Sequence, residues 1–450
     1  MIRPSASPGL GVAAVLAAMA LVVLDAGIVN VALPTISASL DTSPAATVLV
    51  ASAYQVALLM GLLPAAHIAG RTGSRSLFIL GVMTFTASSV AAGASSDFVM
   101  LVVARFLQGL GGAAIMALGI PLLRTAMGRE RLGSAIAWNA LNVAICAAAG
   151  PAIGALILTV AHWPSLFFVN IPVGLFAVAA AFGLPNVPGR DQRLDPLGIA
   201  MHAVGAALAF IALQCLVGRA GLALGLGAAA LTIYALLVRR DRARPAPLLA
   251  IDLLRTRPFR LAFAASICCF VATSAGQLAL PFYLQRSFGA DALSTGIVLS
   301  TWPLAVAITS PFANRLKAHM TTGAICALGA AMISTGAVAA ALLTIGPVHL
   351  GLCAALCGMG FGLFQVPNNR VLFLAAPEER GEAAGGMQGT ARLAGQTSGS
   401  ILVSLLFGVS PAVVAPRLIF VGAAVFALAA AIISMRRAVI RGEGLAPCRA

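Results

Sequence analysis

The sequence predicts an all-α protein that crosses a membrane many times. Three observations carry that expectation. Of 450 residues, 60% are hydrophobic and 9% charged, with a mean hydropathy of +1.00; soluble domains carry about 25% charged residues. The apolar residues fall in long runs, many reaching the ~20 residues that a helix needs to cross a bilayer core of about 30 Å. Glycine is abundant, with 46 residues, and small residues let membrane helices approach closely.

Charged or Pro/Gly-rich turns divide the chain into fourteen expected spans: 10–33, 46–69, 76–95, 98–123, 132–160, 166–185, 196–217, 220–238, 259–284, 291–314, 321–344, 348–374, 382–408 and 416–435. Spans longer than the bilayer requires imply tilt or kinks. The first follows Arg3 and begins like a signal peptide, but its length and the spans after it mark a retained helix. Orientation follows from the basic loops, which stay in the cytoplasm. With the N-terminus inside, the cytoplasmic loops hold Arg71 and Arg75; Arg124, Arg129 and Arg131; Arg190 and Arg193; the run from Arg239 to Arg260; Arg315 and Lys317; and Arg380. The tail adds Arg436, Arg437 and Arg441, and the opposite side keeps only Arg219, Arg286 and Arg417. Both termini are therefore expected in the cytoplasm.

The chain also repeats. AAHIAGRTGSRSLFILG closes the second span and SPFANRLKAHMTTGAICALG the tenth. Glu130-Arg131 precedes Gly150 by the interval at which Glu379-Arg380 precedes Gly399. Residues 1–190 thus read as an N-terminal six-helix half, 191–245 as an inserted helix pair (spans seven and eight), and 246–450 as a C-terminal six-helix half with a cytoplasmic tail. Parallel halves that face each other across a midplane site are a transporter architecture.

The net charge of +15 does not point to nucleic acid, because the arginines sit in short loops without a basic, aromatic-interleaved face. Seven of the eight cysteines lie in apolar runs, where they read as small buried hydrophobes. None has metal-ligand spacing, and no disulfide framework is expected. The five histidines are scattered and form no catalytic cluster. No enzyme activity, metal or cofactor is expected.

Of thirteen acids, only Asp25 lies well inside a span; Glu382 opens span thirteen at its edge. An intramembrane carboxylate costs about 2.5–3.5 kcal/mol on insertion scales and is functional by default. Two readings stay open: Asp25 carries protons, or it is a structural partner of a nearby cation. Arg105 in span four is the cation at matching depth. Asp25 stands roughly 12 Å and Arg105 roughly 10 Å from the outer ends of their spans, so the two can meet if those spans are neighbours. Arg392, in span thirteen, has no acid in its span and is either bonded to carbonyls or in contact with substrate or the opposite half.

Asn30, Tyr54, Gln108, Asn139, Gln277 and Gln365, with Arg392, are the candidates for a substrate cavity. Gln55, Asn142, Tyr283 and Gln388 are polar positions of the kind that bond between helices. Gly150-Pro151-Ala152-Ile153-Gly154 combines a proline, which tends to kink a helix, with a small face for close packing. Gly395 and Gly399 supply a similar face in span thirteen.

Together these motifs resemble the major facilitator superfamily, and within it the fourteen-helix drug–proton antiporters of the EmrB/QacA type. LDAGIVNVALP is similar to that group's first-helix pattern LDxTxxNVALP, with Asp25, Asn30, Ala32 and Pro34 matching and Gly27 in place of threonine. ARFLQGLGGAA resembles the fourth-helix motif through Arg105, Gln108 and Gly109. GPAIGA resembles the fifth-helix antiporter motif through Gly150, Pro151 and Gly154, with Ala155 replacing a second glycine. HWPSLFFVNIPVG resembles WRWxFxxNxPxG through Trp163, Phe167, Asn170, Pro172 and Gly174; Pro164 and Ser165 depart from it. AHIAGRTGSR keeps the Arg71, Gly73 and Arg75 of the loop after helix two, but Gly70 replaces an acid that in the family helps latch the cytoplasmic ends of the halves.

The resemblance implies a major facilitator fold of two six-helix halves plus two inserted helices in the cytoplasmic (inner) membrane. It implies proton-coupled efflux of drug-like or amphiphilic molecules, with Asp25 and Arg105 in proton coupling. Arg71, Gly73, Arg75, Gly150, Pro151 and Gly154 would serve conformational change. The expected partners are the lipid bilayer, a small-molecule substrate and protons; a monomer suffices, and accessory export subunits stay open. The alternatives are an uncoupled facilitator and a transport-inactive receptor or assembly subunit, the latter suggested by Gly70.

Overall fold

A computed structural model of the chain describes residues 8–186, 194–216, 219–241, 244, 248–343, 345–377, 380–411 and 413–440. The helices are α1 (Pro8–Ser39), α2 (Pro44–Thr72), α3 (Ser74–Gly93), α4 (Phe98–Val160), α5 (Ser165–Phe168), α6 (Asn170–Ala181), α7 (Pro196–Gln214) and α8 (Ala220–Asp241). After a 3-10 turn at Ile251–Arg255 come α9 (Arg257–Phe288), α10 (Ala292–Thr309), α11 (Phe312–Leu316), α12 (Thr322–Leu342), α13 (Pro347–Leu374), α14 (Gly381–Val409) and α15 (Ala415–Ile440). Among the described residues, twelve helical segments are long and apolar enough to cross a membrane. The protein is a multi-pass integral membrane protein.

Polar residues at the helix starts explain where several helices begin. Ser43, Asp97, Asp195, Asp291 and Thr321 each accept a hydrogen bond from a backbone N–H in the first turn of the following helix, which satisfies a donor the helix itself leaves open. Gly73 joins α2 to α3 at φ 92°, a conformation that side chains with a Cβ rarely adopt.

Several expected boundaries change. The turn expected at 124–131 is absent, and α4 is helical through both spans four and five. It cannot be straight: Arg105 touches Asp25 while Gly150 packs on Gly27, two residues along α1, yet a straight helix would hold Arg105 and Gly150 about 68 Å apart. The helix therefore doubles back between the two apolar segments. Span six is split into α5 and α6 and ends at Ala181 instead of 185. Span ten ends at Thr309, and the separate α11 begins at Phe312, just after Pro311. Finally, α15 runs past 435, so Arg437 lies inside it and is buried. Arg190, Arg193, Arg242, Glu379, Arg441 and Cys448 lie outside the described residues.

The helices from α1 to α6 pack chiefly on one another, with α4 against α1, α2 and α3 and α6 against α1. Those from α9 onward do the same, through α12 with α13 and α15, and α9 with α14 and α15. The two groups meet along α4–α10 and α2–α14. Helices α7 and α8 pair with each other, and α7 lies over the α2–α14 seam. His202 on α7 bonds the Leu59 carbonyl, and the Ser404 hydroxyl donates to Gln214 Oε1. Large apolar side chains stay exposed around the outside, such as Val99, Leu156, Leu224 and Leu231. Lipid, as apolar as those side chains, is their solvent, so close contact between helices rests on small residues instead.

Candidate functional site: a buried charge cluster inside the first helical group

Asp25 and Arg105 meet. Both are 1% exposed, and Arg105 Nη1 donates to Asp25 Oδ2 at 2.5 Å. Gln108, one turn after Arg105 on α4, donates to Asp25 Oδ1 at 2.8 Å; Asn170 at the start of α6 donates to the same oxygen at 2.9 Å. The i, i+3 spacing puts Arg105 and Gln108 on one face of α4, and Arg105 Nη1 also donates to Gln108 Oε1. Ser89 on α3 accepts from both Gln108 and Asn170, and its own hydroxyl donates to the Phe85 carbonyl. Arg105 Nε donates to the Val50 carbonyl of α2. The guanidinium lies 4.4 Å from the Tyr54 ring centroid, and the Phe167 ring also faces it.

One carboxylate thus gathers α1, α3, α4 and α6, while its arginine adds α2 and α5. Each carboxylate oxygen is satisfied, which a buried charge requires. Asn170 and Ser89 belong to this cluster although neither stood among the expected site residues. Asn170 was visible as a lone amide in FFVNIPVG; Ser89 carried no signal beyond being a small polar residue in an apolar run. Gln108, expected at a substrate cavity, is instead fully buried here.

The close approach of α1 to the second arm of α4 rests on missing side chains. A Cβ on Gly154 would stand 2.9 Å from both the Cα and the carbonyl oxygen of Ile28, and one on Gly27 would stand 3.2 Å from Gly150 and Pro151. Gly27 therefore sits where the helices cross backbone to backbone. The remaining expected residues are more dispersed. Tyr54 is buried and its hydroxyl reaches the Val22 carbonyl at 3.5 Å. Asn30, Gln277 and Gln365 are half-buried and bond none of the described residues. Asn139 is buried, with its Oδ1 unpartnered. Arg71 is exposed. Arg75 reaches the Leu184 carbonyl at 3.3 Å and lies over the Phe182 ring, so it ties the chain just after α6 to the start of α3.

Arg392 occupies the middle of α14 and points toward α4, where Nη2 meets the Met116 sulfur at 3.5 Å. Its Nε is buried without a partner. The second group also holds a polar cluster that the sequence did not suggest. Arg437 donates to Asn368 Oδ1 at 2.8 Å, and Asn368 donates to Ser266 and to the Ala262 carbonyl. Hydrogen bonds between the groups gather toward the end where α1 finishes. There Gln285 donates to the Val31 carbonyl, Arg286 to Ser37 and Ser404 to the Ala45 carbonyl, with Ser400 and Gln55 bonded nearer the middle.

The family model for the Major Facilitator Superfamily matches residues 15–400. The chain belongs to the major facilitator superfamily. It is 38% identical over 397 residues to the uncharacterized transporter YebQ of Escherichia coli (strain K12), covering 86% of each chain. It is 28% identical over 422 residues to the multidrug resistance protein Stp of Mycobacterium tuberculosis, covering 88% of this chain and 76% of that one. The crystal structure of a POT family transporter in complex with 5-aminolevulinic acid superposes with a TM-score of 0.75 at 13% identity, covering 98% of this chain and 99% of that one, a likeness of fold. Family and relatives indicate a membrane transporter of small molecules rather than an enzyme.

Proposed function

We propose that this transporter exchanges protons for drug-like or amphiphilic molecules and moves them out across the cytoplasmic membrane. The observation that carries the reading is the dehydrated Asp25–Arg105 pair inside the helical bundle. Its carboxylate is held by donors from two other helices, α4 and α6. A movement of α4 or α6 against α1 changes which of those donors face the carboxylate, and that change is the step that ties helix movement to proton exchange in this reading. Each proton that falls through 100 mV supplies about 2.3 kcal/mol.

Relatives named for multidrug resistance support the direction and the substrate class. The bonds gathered at the end of α1 support a state closed on that side and accessible from the other. Adding α5–α6 and the polar α14 to the twelve apolar segments among the described residues gives fourteen, which supports the likeness to the drug–proton antiporters. In this reading residues 1–190 and 246–450 are the two rocking halves, 191–245 is an inserted pair, and both termini are cytoplasmic.

The test is proton-driven transport in proteoliposomes. Asp25→Asn is expected to reduce substrate movement under a pH gradient to the level without one, while Asp25→Glu keeps some coupling. Unchanged gradient-driven transport by Asp25→Asn overturns the assignment. A second reading has one observation of its own: Asp25 is 1% exposed and fully bonded, as a purely structural acid would be. Facilitated diffusion then follows, and no imposed pH gradient drives accumulation even in the unaltered protein.

A further inference from the structure

The charges inside the bundle do not cancel. Asp25 is committed to Arg105. Arg392, on the opposite helical group, forms no ion pair among the described residues. Its one hydrogen-bond partner among the described residues is a thioether, Met116, a weak acceptor. Its Nε is enclosed and unbonded, although a guanidinium carries five N–H donors. The side chain as a whole is only half-buried, so it borders open space at the α2–α14 seam. Leu62 and Leu63 of α2 lie close by against Gly389 and Gly386 of α14. The neighbourhood is an apolar wall with one net positive charge and donors to spare.

We propose that Arg392 is the substrate anchor and that the substrate is an anion: an apolar or aromatic body bearing a carboxylate or a comparable delocalised oxyanion. This deepens the transport reading above and rests on it. An arginine fork fits two oxygens side by side, and the apolar wall covers the rest of the molecule. A cationic amphiphile meets repulsion with no free acid to offset it among the described residues around Arg392, since the carboxylate of Asp25 is already paired with Arg105. The same sign recurs near the end of α1. Arg286, which donates to Ser37, lines a cavity of about 360 Å³ together with Tyr283, Ser287, Phe288, Val413 and Arg417. An anion released from Arg392 toward that side meets a cation again at Arg286.

Two dyes of one ring system and opposite charge separate the possibilities: fluorescein, an anionic xanthene, and rhodamine 6G, a cationic one. Binding is measured by fluorescence anisotropy on the full chain in nanodiscs, and flux in proteoliposomes. The unaltered protein is expected to bind fluorescein more tightly than rhodamine 6G. Arg392→Gln is expected to weaken fluorescein binding by about tenfold to a hundredfold, the range for a lost charged hydrogen bond, and to leave rhodamine 6G unchanged or improved. Arg392→Lys, which keeps the charge and loses the fork, keeps the preference for the anion at reduced affinity and guards against a variant that fails to fold. Tighter binding of rhodamine 6G by the unaltered protein, or equal fluorescein binding by Arg392→Gln, overturns the proposal. Arg392-dependent fluorescein binding without flux supports the anion site and counts against the transport reading alone. Flux of rhodamine 6G with no fluorescein binding does the reverse.

Discussion

The Asp25–Arg105 pair yields the sharpest energetic prediction. Each partner is 1% exposed, and they are in contact at 2.5 Å. Removing one charge strands the other in a dehydrated site, which costs about 3–5 kcal/mol. Asp25→Asn is a severe case despite its matched shape. Gln108 and Asn170 aim N–H groups at one carboxylate oxygen and Arg105 aims one at the other. An asparagine presents one acceptor and one NH₂, so whichever way the amide lies, a donor faces a donor. Arg105→Gln likewise strands the carboxylate, although Gln108 and Asn170 continue to solvate it. Asp25→Asn with Arg105→Gln removes both charges, so the combined loss is expected to fall short of the sum of the singles by about 2–3 kcal/mol, within the range for contacting residues. Equilibrium unfolding in bilayers by steric trapping measures all four corners of this cycle. Effects that add to within about 0.5 kcal/mol, as distant sites do, would refute the claim that carboxylate and guanidinium stabilise each other.

Other outcomes follow from the same geometry. Gly154→Ala places a Cβ against the Ile28 backbone and is expected to cost about 1–3 kcal/mol, as overpacking does. Gly225→Ala in α8 meets nothing within 4 Å and is expected to stabilise by up to about 1 kcal/mol through helix propensity; unfolding of the two variants side by side checks both signs. At the start of α7, Asp195 is bonded by Arg240, by the Gly198 N–H and by Arg244. Burial alone would raise its carboxyl, but these donors and charges together outweigh it and hold the group below the ordinary 3.8. A depressed carboxyl contributes stability above its unfolded value and loses it as pH falls through the folded one. The stability gap between the unaltered protein and Asp195→Asn is therefore expected to be constant above about pH 5 and to close under stronger acid. A gap that instead opens as pH falls would show that the arginines do not hold the carboxylate.

The sequence by itself determined the class of solvent and the elements that meet it. Apolar runs of bilayer length make helices necessary, because no other open segment satisfies its backbone in lipid. An acid and an arginine at matched depths within such runs were legible as an exception, and depth alone suggested that they pair. Depth is a one-dimensional coordinate, however, and the facing of a side chain around its helix is not. That is why Gln108 reads as a cavity residue in the sequence and lies inside the Asp25 cluster in the structure, and why Ser89 was invisible.

The tertiary structure decided three things. The return of α4 on itself brings Gly150 and Gly154 to the helix that Arg105 also touches. The break at Val169 between α5 and α6 sets the Asn170 amide at the start of α6, where it reaches the carboxylate. The approach of α14 to α2 sets Arg392 beside Met116 of α4 and, among the described residues, in no ion pair. Each depends on contacts between residues far apart in the chain, and in a membrane those contacts are chosen by the fit of small residues and polar pairs rather than by apolarity, which every helix shares.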